Sequence, residues 1–109
     1  MNPGGMNDMG GILRQAQKMQ KEMARAQEGL KERVVEGTAG GGVVKVHVNC
    51  AQEILSFKLD PEAVDPDDVE MLEDLLLAAT SQAMKKAADI KEEELGKITG
   101  GMGLPGLGF

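Results

Sequence analysis

Residues 36–49 read EGTAGGGVVKVHVN, and this stretch decides the fold. Val44, Val46 and Val48 alternate with polar residues, which is the pattern of a strand with one buried face. The glycines at residues 40–42 favour a tight turn, because a phosphate-binding loop needs a following Gly-Lys-Ser/Thr and a helix. The stretch therefore predicts an antiparallel pair of strands.

Helical patterns flank this region on both sides. Strands are expected at residues 32–38, 43–49 and 54–60, with a hydrophobic period of 3.6 before and after them. This order predicts an α+β fold: a helix, a three-stranded antiparallel sheet and a long second helix.

Length and composition favour one modest domain. The 109 residues suit a single domain at 9–98, between a flexible tail at 1–8 and a flexible glycine-rich tail at 99–109. The start lacks a basic segment followed by an apolar run, and the most membrane-like stretch covers only residues 75–79. We therefore expect a cytoplasmic protein.

The first helix, expected at residues 9–30, carries an unbroken heptad seam. Its apolar residues alternate spacings of three and four: Met9, Ile12, Ala16, Met19, Met23, Ala26 and Leu30. We therefore expect this face of the helix to pack against another structural element. Thioether side chains suit adaptable helix contacts, so we interpret the methionines as packing residues and not as metal ligands.

The second helix has a clear start signal. Asp65 can cap it, Pro66 suits its first position, and the acidic residues that follow complement the helix dipole. Apolar residues continue toward Leu95 and present more surface than one three-stranded sheet covers.

Both helices are too long for the sheet. A helix of about 30 residues spans roughly 45 Å, whereas a strand of about seven residues spans about 23 Å. A two-fold dimer is the commonest way to cover the apolar surface that overhangs. We expect a homodimer with an interface that includes Leu72, Leu75, Leu76 and Ala79.

No residue pattern indicates catalysis. Cys50 and His47 are each the only residue of their type, and neither has a companion at ligand or nucleophile-base spacing. The carboxylates between Asp60 and Asp74 fit helix capping and a solvated face better than a calcium loop or an acid-base pair. We expect neither enzyme activity nor a bound metal or cofactor.

Positive charge is concentrated in the first helix. The net charge is -6, but residues 1–33 carry six Lys or Arg against four Asp or Glu. Four of these cations share one helix face, at spacings of four, three and four: Arg14, Lys18, Lys21 and Arg25. Four further basic residues extend or adjoin this set: Lys31, Arg33, Lys85 and Lys86. An ordinary solvated face and a phosphate-binding surface both fit this pattern.

Several short motifs lie in a specific order along nearly the whole chain. They read LRQAQKMQ at 13–20, EGTAGGGVVKV at 36–46, LDP at 59–61, MLEDL at 71–75, AA at 78–79, GM at 101–102 and LPG at 104–106. In these motifs the chain resembles the YbaB/EbfC family of bacterial nucleoid-associated proteins. It departs from the family pattern at Cys50, where a glycine tends to follow the residue equivalent to Asn49. A left-handed residue at this turn would be strained.

The resemblance implies a dimer whose long helices project like the arms of tweezers, a nucleoid location and a role in DNA binding. The chain has no Trp or Tyr to stack on single-stranded bases, so duplex DNA is the expected target. The eight basic residues would contact phosphates with little sequence specificity, which can affect nucleoid organisation and gene expression. The alternative is a protein-interaction adaptor for recombination or replication proteins.

Overall fold

The computed structural model describes the backbone of residues 3–100 and the side chains of residues 9–99. Two long helices precede and follow a three-stranded sheet in the order α1 (Pro3–Glu32), β1 (Val34–Ala39), β2 (Val44–Asn49), β3 (Ile54–Leu59) and α2 (Val69–Gly100). The predicted α+β fold and the order of its elements are confirmed. Within the described residues, neither helix has a stretch long and apolar enough to span a membrane.

The core lies between α2 and one face of the sheet. The strands are antiparallel in the order β1-β2-β3, and the side chains of β2 alternate between the core and the outer face, as predicted. Valines of β2 pack with alanines of α2, and all of them are fully buried: Val44, Val46, Val48, Ala79, Ala83 and Ala87. The small alanine side chains bring the helix close to the strands.

The three glycines form the turn between β1 and β2, as predicted. Gly40, Gly41 and Gly42 have φ angles of 65°, 73° and 97°, a region that only glycine enters without strain. The chain passes directly from this turn into β2 and not into a helix. The phosphate-loop alternative therefore has no structural basis.

The turn between β2 and β3 differs from the prediction. The left-handed residue is Gln52, with a φ angle of 66°, and not Cys50. The Cys50 backbone N–H donates to the carbonyl oxygens of Leu30 and Arg33, at 3.0 and 2.9 Å. These bonds fix the turn against the end of α1, where the thiol is buried.

The prediction that α2 begins at Asp65 and Pro66 is wrong. The Asp65 carboxylate accepts a hydrogen bond from the backbone N–H of Asp67 at 2.9 Å, and this local turn competes with helix formation. The helix begins after Asp68, whose carboxylate accepts from the backbone N–H of Met71 at 3.2 Å. Asp68 is therefore the residue that caps the helix.

α1 is longer than predicted at both ends. It begins at Pro3 and not at Met9, because proline fits the first helical turn and the glycines that follow are tolerated. It also takes up Glu32, so β1 begins later, at Val34. The predicted glycine-rich tail falls mainly on residues 101–109, outside the described part of the chain.

Both helices extend beyond the sheet, as their lengths predict. The molecule measures 80 × 24 × 16 Å. α1 contacts α2 near its own C-terminal end, where Leu30 is buried and Arg33 forms an ion pair with Glu94 at 3.3 Å. Further toward the N-terminus, Met9 and Ile12 are exposed. The N-terminal half of α1 therefore projects from the body of the protein.

Candidate nucleic-acid interface

Positive side chains form a line along one face of α1. Successive residues turn about 100° around a helix axis, so positions 14, 18, 21 and 25 fall within an arc of about 60°. We call the residues at these positions the basic stripe: Arg14, Lys18, Lys21 and Arg25. All four are exposed, and they extend about 16 Å along the helix axis.

The basic stripe has no ion-pair partner within the described side chains. Among residues 9–99, no carboxylate oxygen lies within 4.0 Å of its four cationic groups. No described carboxylate therefore pairs directly with the stripe, and Glu22 is its acidic neighbour, one turn from Lys18 and from Arg25. An external polyanion is the natural counter-charge for such a surface.

The other four predicted contacts are engaged within the chain. Three form ion pairs and one donates to a backbone carbonyl: Lys31 with Glu28 at 3.7 Å, Arg33 with Glu94 at 3.3 Å, Lys85 with Asp89 at 3.2 Å, and Lys86 with the Glu36 carbonyl oxygen at 2.9 Å. Lys85 and Lys86 lie on α2, so the structure does not bring them onto the basic stripe. The exposed ion pairs are weak, and DNA contact by these residues stays a prediction.

The basic stripe ends at acidic residues, which the sequence-based prediction of the DNA-binding surface did not include. Glu28 and Glu32 continue the spacing of three and four beyond Arg25, so they fall on the same face of α1. The helical spacing that identified the cations would also have identified these carboxylates. Positive potential is therefore confined to the part of α1 that lies before Glu28.

A second pair of cations lies on the outer face of the sheet, away from α2. Lys45 of β2 and Lys58 of β3 are direct partners in the antiparallel register. Like charges at opposed positions repel each other, so this pair also favours a bound anion. The alternation of β2 predicted the direction of Lys45, but the sequence did not reveal the register that places Lys58 beside it.

His47 belongs to a row of side chains that crosses all three strands. Its Nε2 atom is 2.8 Å from the Glu36 Oε2 atom, and its Nδ1 atom is 3.4 Å from the Ser56 hydroxyl oxygen. These residues are opposed in the register, so the row is an ordinary cross-strand interaction on the outer face. Among residues 9–99, no group of three His, Cys, Asp or Glu side chains is arranged to hold a metal ion.

The residues predicted for the dimer interface face the sheet of their own chain. Ala79 is fully buried there, and its place in a dimer interface stays a prediction. Leu72, Leu75 and Leu76 are half-buried against the same core. The apolar stripe of α2 is used first to cover β1 and β2, which leaves only part of each leucine accessible to a second chain.

Known proteins resemble this chain over nearly its whole length. Residues 6–102 match the model of the YbaB/EbfC DNA-binding family. A nucleoid-associated protein of Alkaliphilus metalliredigens is 48% identical over 104 residues, which cover 95% of this chain and 91% of the relative. One from Pelotomaculum thermopropionicum is 52% identical over 100 residues, which cover 92% of this chain and 95% of the relative.

A solved structure shares the fold. The crystal structure of an uncharacterized Helicobacter pylori protein superposes with a TM-score of 0.67 at 25% sequence identity. The match covers 78% of this chain and 86% of the other. Together, the family match over residues 6–102 and the near full-length relatives show that this chain belongs to the YbaB/EbfC DNA-binding family.

Proposed function

We propose that this protein binds duplex DNA through the basic stripe, as a homodimer with little sequence specificity. The observation that carries the proposal is the line of four exposed cations that lack an ion-pair partner among residues 9–99. Membership in a DNA-binding family supports the choice of DNA as the polyanion. Binding of this kind would act in the nucleoid and affect nucleoid organisation and gene expression.

The stripe suits phosphates better than bases. Arginine and lysine on an exposed helix face neutralise phosphate charge, and such contacts carry no sequence information. The chain contains no Trp or Tyr and only two Phe, so it lacks the aromatic platforms on which single-stranded bases stack. A duplex, with its dense and regular phosphates, is therefore the better target.

The homodimer is supported by apolar surface that α2 leaves uncovered. Phe57 and Leu59 of β3 lie opposite Val46 and Val44, on the face of the sheet that carries the core. α2 packs mainly over β1 and β2, so Phe57 remains 49% exposed. A second copy that covers β3 would also reach the half-buried leucines of α2. It would bring two basic stripes into one particle.

A second candidate function is an adaptor that binds recombination or replication proteins. It is favoured by the exposed side chains of Met9, Ile12 and Leu13 on the projecting part of α1. Methionine-rich apolar helix faces bind partner helices through adaptable contacts. Capture of a protein partner by apolar contacts would persist at high salt, whereas DNA binding through phosphates would not.

The test is a titration of a fluorescent duplex with the purified protein across a series of salt concentrations, with the molar mass measured in the same buffers. Two stripes of four cations supply eight phosphate contacts per dimer, so affinity should fall roughly a thousandfold or more between about 50 and 200 mM salt. A dimeric mass is expected throughout. No binding at low salt would reject DNA as the target, and a monomeric mass would reject the homodimer.

A further inference from the structure

α1 carries two functional faces that point in opposite directions. At about 100° per residue, the heptad seam from Met9 to Leu30 is centred roughly 160° from the centre of the basic stripe. A helix face that touches DNA therefore leaves the seam turned away from that DNA. The two faces can bind different molecules at the same time.

Among the described side chains of residues 9–99, only the C-terminal half of the seam is covered. Leu30 is buried, and Met19, Met23 and Ala26 are half-buried near the contact with α2. The N-terminal half continues the same spacing without a cover. Met9 and Ile12 are 69% and 64% exposed, and Ala16 is also exposed. Leu13, which flanks the seam, is 62% exposed.

An open groove continues along the seam between its covered and uncovered parts. It has a volume of about 570 Å³. Its described walls come from α1 alone: Ala16, Met19, Gln20, Met23, Ala24 and Gln27. These are seam residues and their neighbours on one side. The groove therefore follows the seam on the N-terminal side of the buried Leu30, and another helix could lie along it.

The residues beside the seam favour a second copy of α1 as the other helix. The positions that flank a heptad seam usually carry the charges that select a partner. Glu22 is the exception among the six flanking residues between Met9 and Leu30, and the other five are uncharged: Leu13, Gln15, Gln20, Gln27 and Gly29. Two identical seams can therefore meet with little like-charge repulsion, while the cations of the stripe stand on the far side of each helix.

We propose that the exposed seams of two copies pair with each other, so that their basic stripes face outward in opposite directions and hold two separate duplexes. The protein would then bridge DNA and not only coat it. This inference rests on the proposed binding of duplex DNA by the stripe. The N-terminal part of the seam offers only a few side chains. The area that they can bury is far smaller than the roughly 800 Å² per partner of a stable interface. Pairing is therefore expected where DNA brings many copies together.

The test is recovery of a second duplex. The full-length protein is bound to an immobilised duplex, and capture of a labelled duplex from solution is measured beside single-duplex affinity. Ile12→Gln removes an exposed seam side chain, and Val64→Gln, at a half-exposed loop residue away from α1, is the matched control. The affinity of Ile12→Gln for a single duplex should stay within about twofold of that of the unmodified protein. The amount of second duplex that it captures should fall by at least about fivefold, because only the seam is changed.

Thiol cross-linking gives a second readout that does not depend on capture. The chain has one cysteine, Cys50, which is fully buried, so the background is low. With a short bis-maleimide on DNA, Ile12→Cys should give covalent dimers and Gln17→Cys, at an exposed α1 position outside both the seam and the basic stripe, should not.

The outcomes separate the two claims. Absence of single-duplex binding by the unmodified protein would reject the proposed function itself. If that binding is present, three results would overturn seam pairing: no capture of a second duplex, equal capture by Ile12→Gln, or cross-linking from Gln17→Cys that equals or exceeds that from Ile12→Cys. Loss of a protein partner by Ile12→Gln, with bridging intact, would assign the seam to that partner and would also overturn it.

Discussion

Gly37 of β1 lies directly beneath Ala79 of α2, so closely that a Cβ atom at residue 37 would overlap the Ala79 carbonyl oxygen. The same Cβ atom would stand 2.8 Å from the Ala83 backbone nitrogen. Backbone atoms of a packed helix cannot rotate away as the end of a flexible side chain can. The close contact between α2 and the sheet therefore depends on glycine at this position.

The first prediction is that Gly37→Ala destabilises the fold. The added methyl group would force α2 away from β1 and β2, at a cost of about 2 kcal/mol or more in the free energy of unfolding. Urea denaturation measures this cost. Gly29→Ala is the control, because nothing lies within 4 Å of a Cβ atom there and alanine favours a helix by up to about 1 kcal/mol. Equal stability of the two variants would contradict the packing account.

The second prediction concerns the acidic end of the basic stripe. Glu28→Gln with Glu32→Gln removes two negative charges from the face that carries Arg25, so the affinity for duplex DNA should rise by roughly two- to tenfold at low salt. Glu92→Gln with Glu93→Gln, on the exposed end of α2, makes the same change in net charge away from the stripe. Equal gains in the two variants would mean that net charge, and not the face of α1, governs binding.

The third prediction locates the homodimer contact at β3. Phe57→Glu places a charge in the apolar surface that α2 leaves open, so the molar mass by light scattering should shift from dimer toward monomer. Val34→Glu, at a residue of comparable exposure on β1 at the other edge of the sheet, should leave the mass unchanged. A dimeric mass for Phe57→Glu would place the interface elsewhere.

Local sequence patterns predicted the features that depend on a few neighbouring residues. The alternation of Val44, Val46 and Val48 identified β2 and its buried face, and the glycines at 40–42 identified the turn before it. The spacing of the stripe residues likewise needed only the geometry of one helix. In each case the backbone period alone determines which side chains share a face.

Features that depend on distant residues were not accessible from those patterns. The opposition of Lys45 and Lys58 depends on strand register, and the burial of Ala79 depends on where α2 meets the sheet. The start of α2 was misplaced for a different reason. Asp65 and Asp68 are both good caps, and the sequence does not show that the Asp65 carboxylate is used in its own turn.

The most direct test of the central claim is the salt dependence of duplex binding after part of the basic stripe is removed. Each lost phosphate contact lowers the slope of log affinity against log salt by about 0.9. Lys18→Ala with Lys21→Ala removes four of the eight contacts in a dimer, so it should reduce the slope by about 3.6 and weaken binding at low salt. The charge-matched Lys91→Ala with Lys97→Ala, on α2, should change the slope by less than about 0.5, because these residues lie off the stripe. An unchanged slope in the stripe variant, or an equal change in both, would contradict the assignment of α1 as the DNA-binding surface.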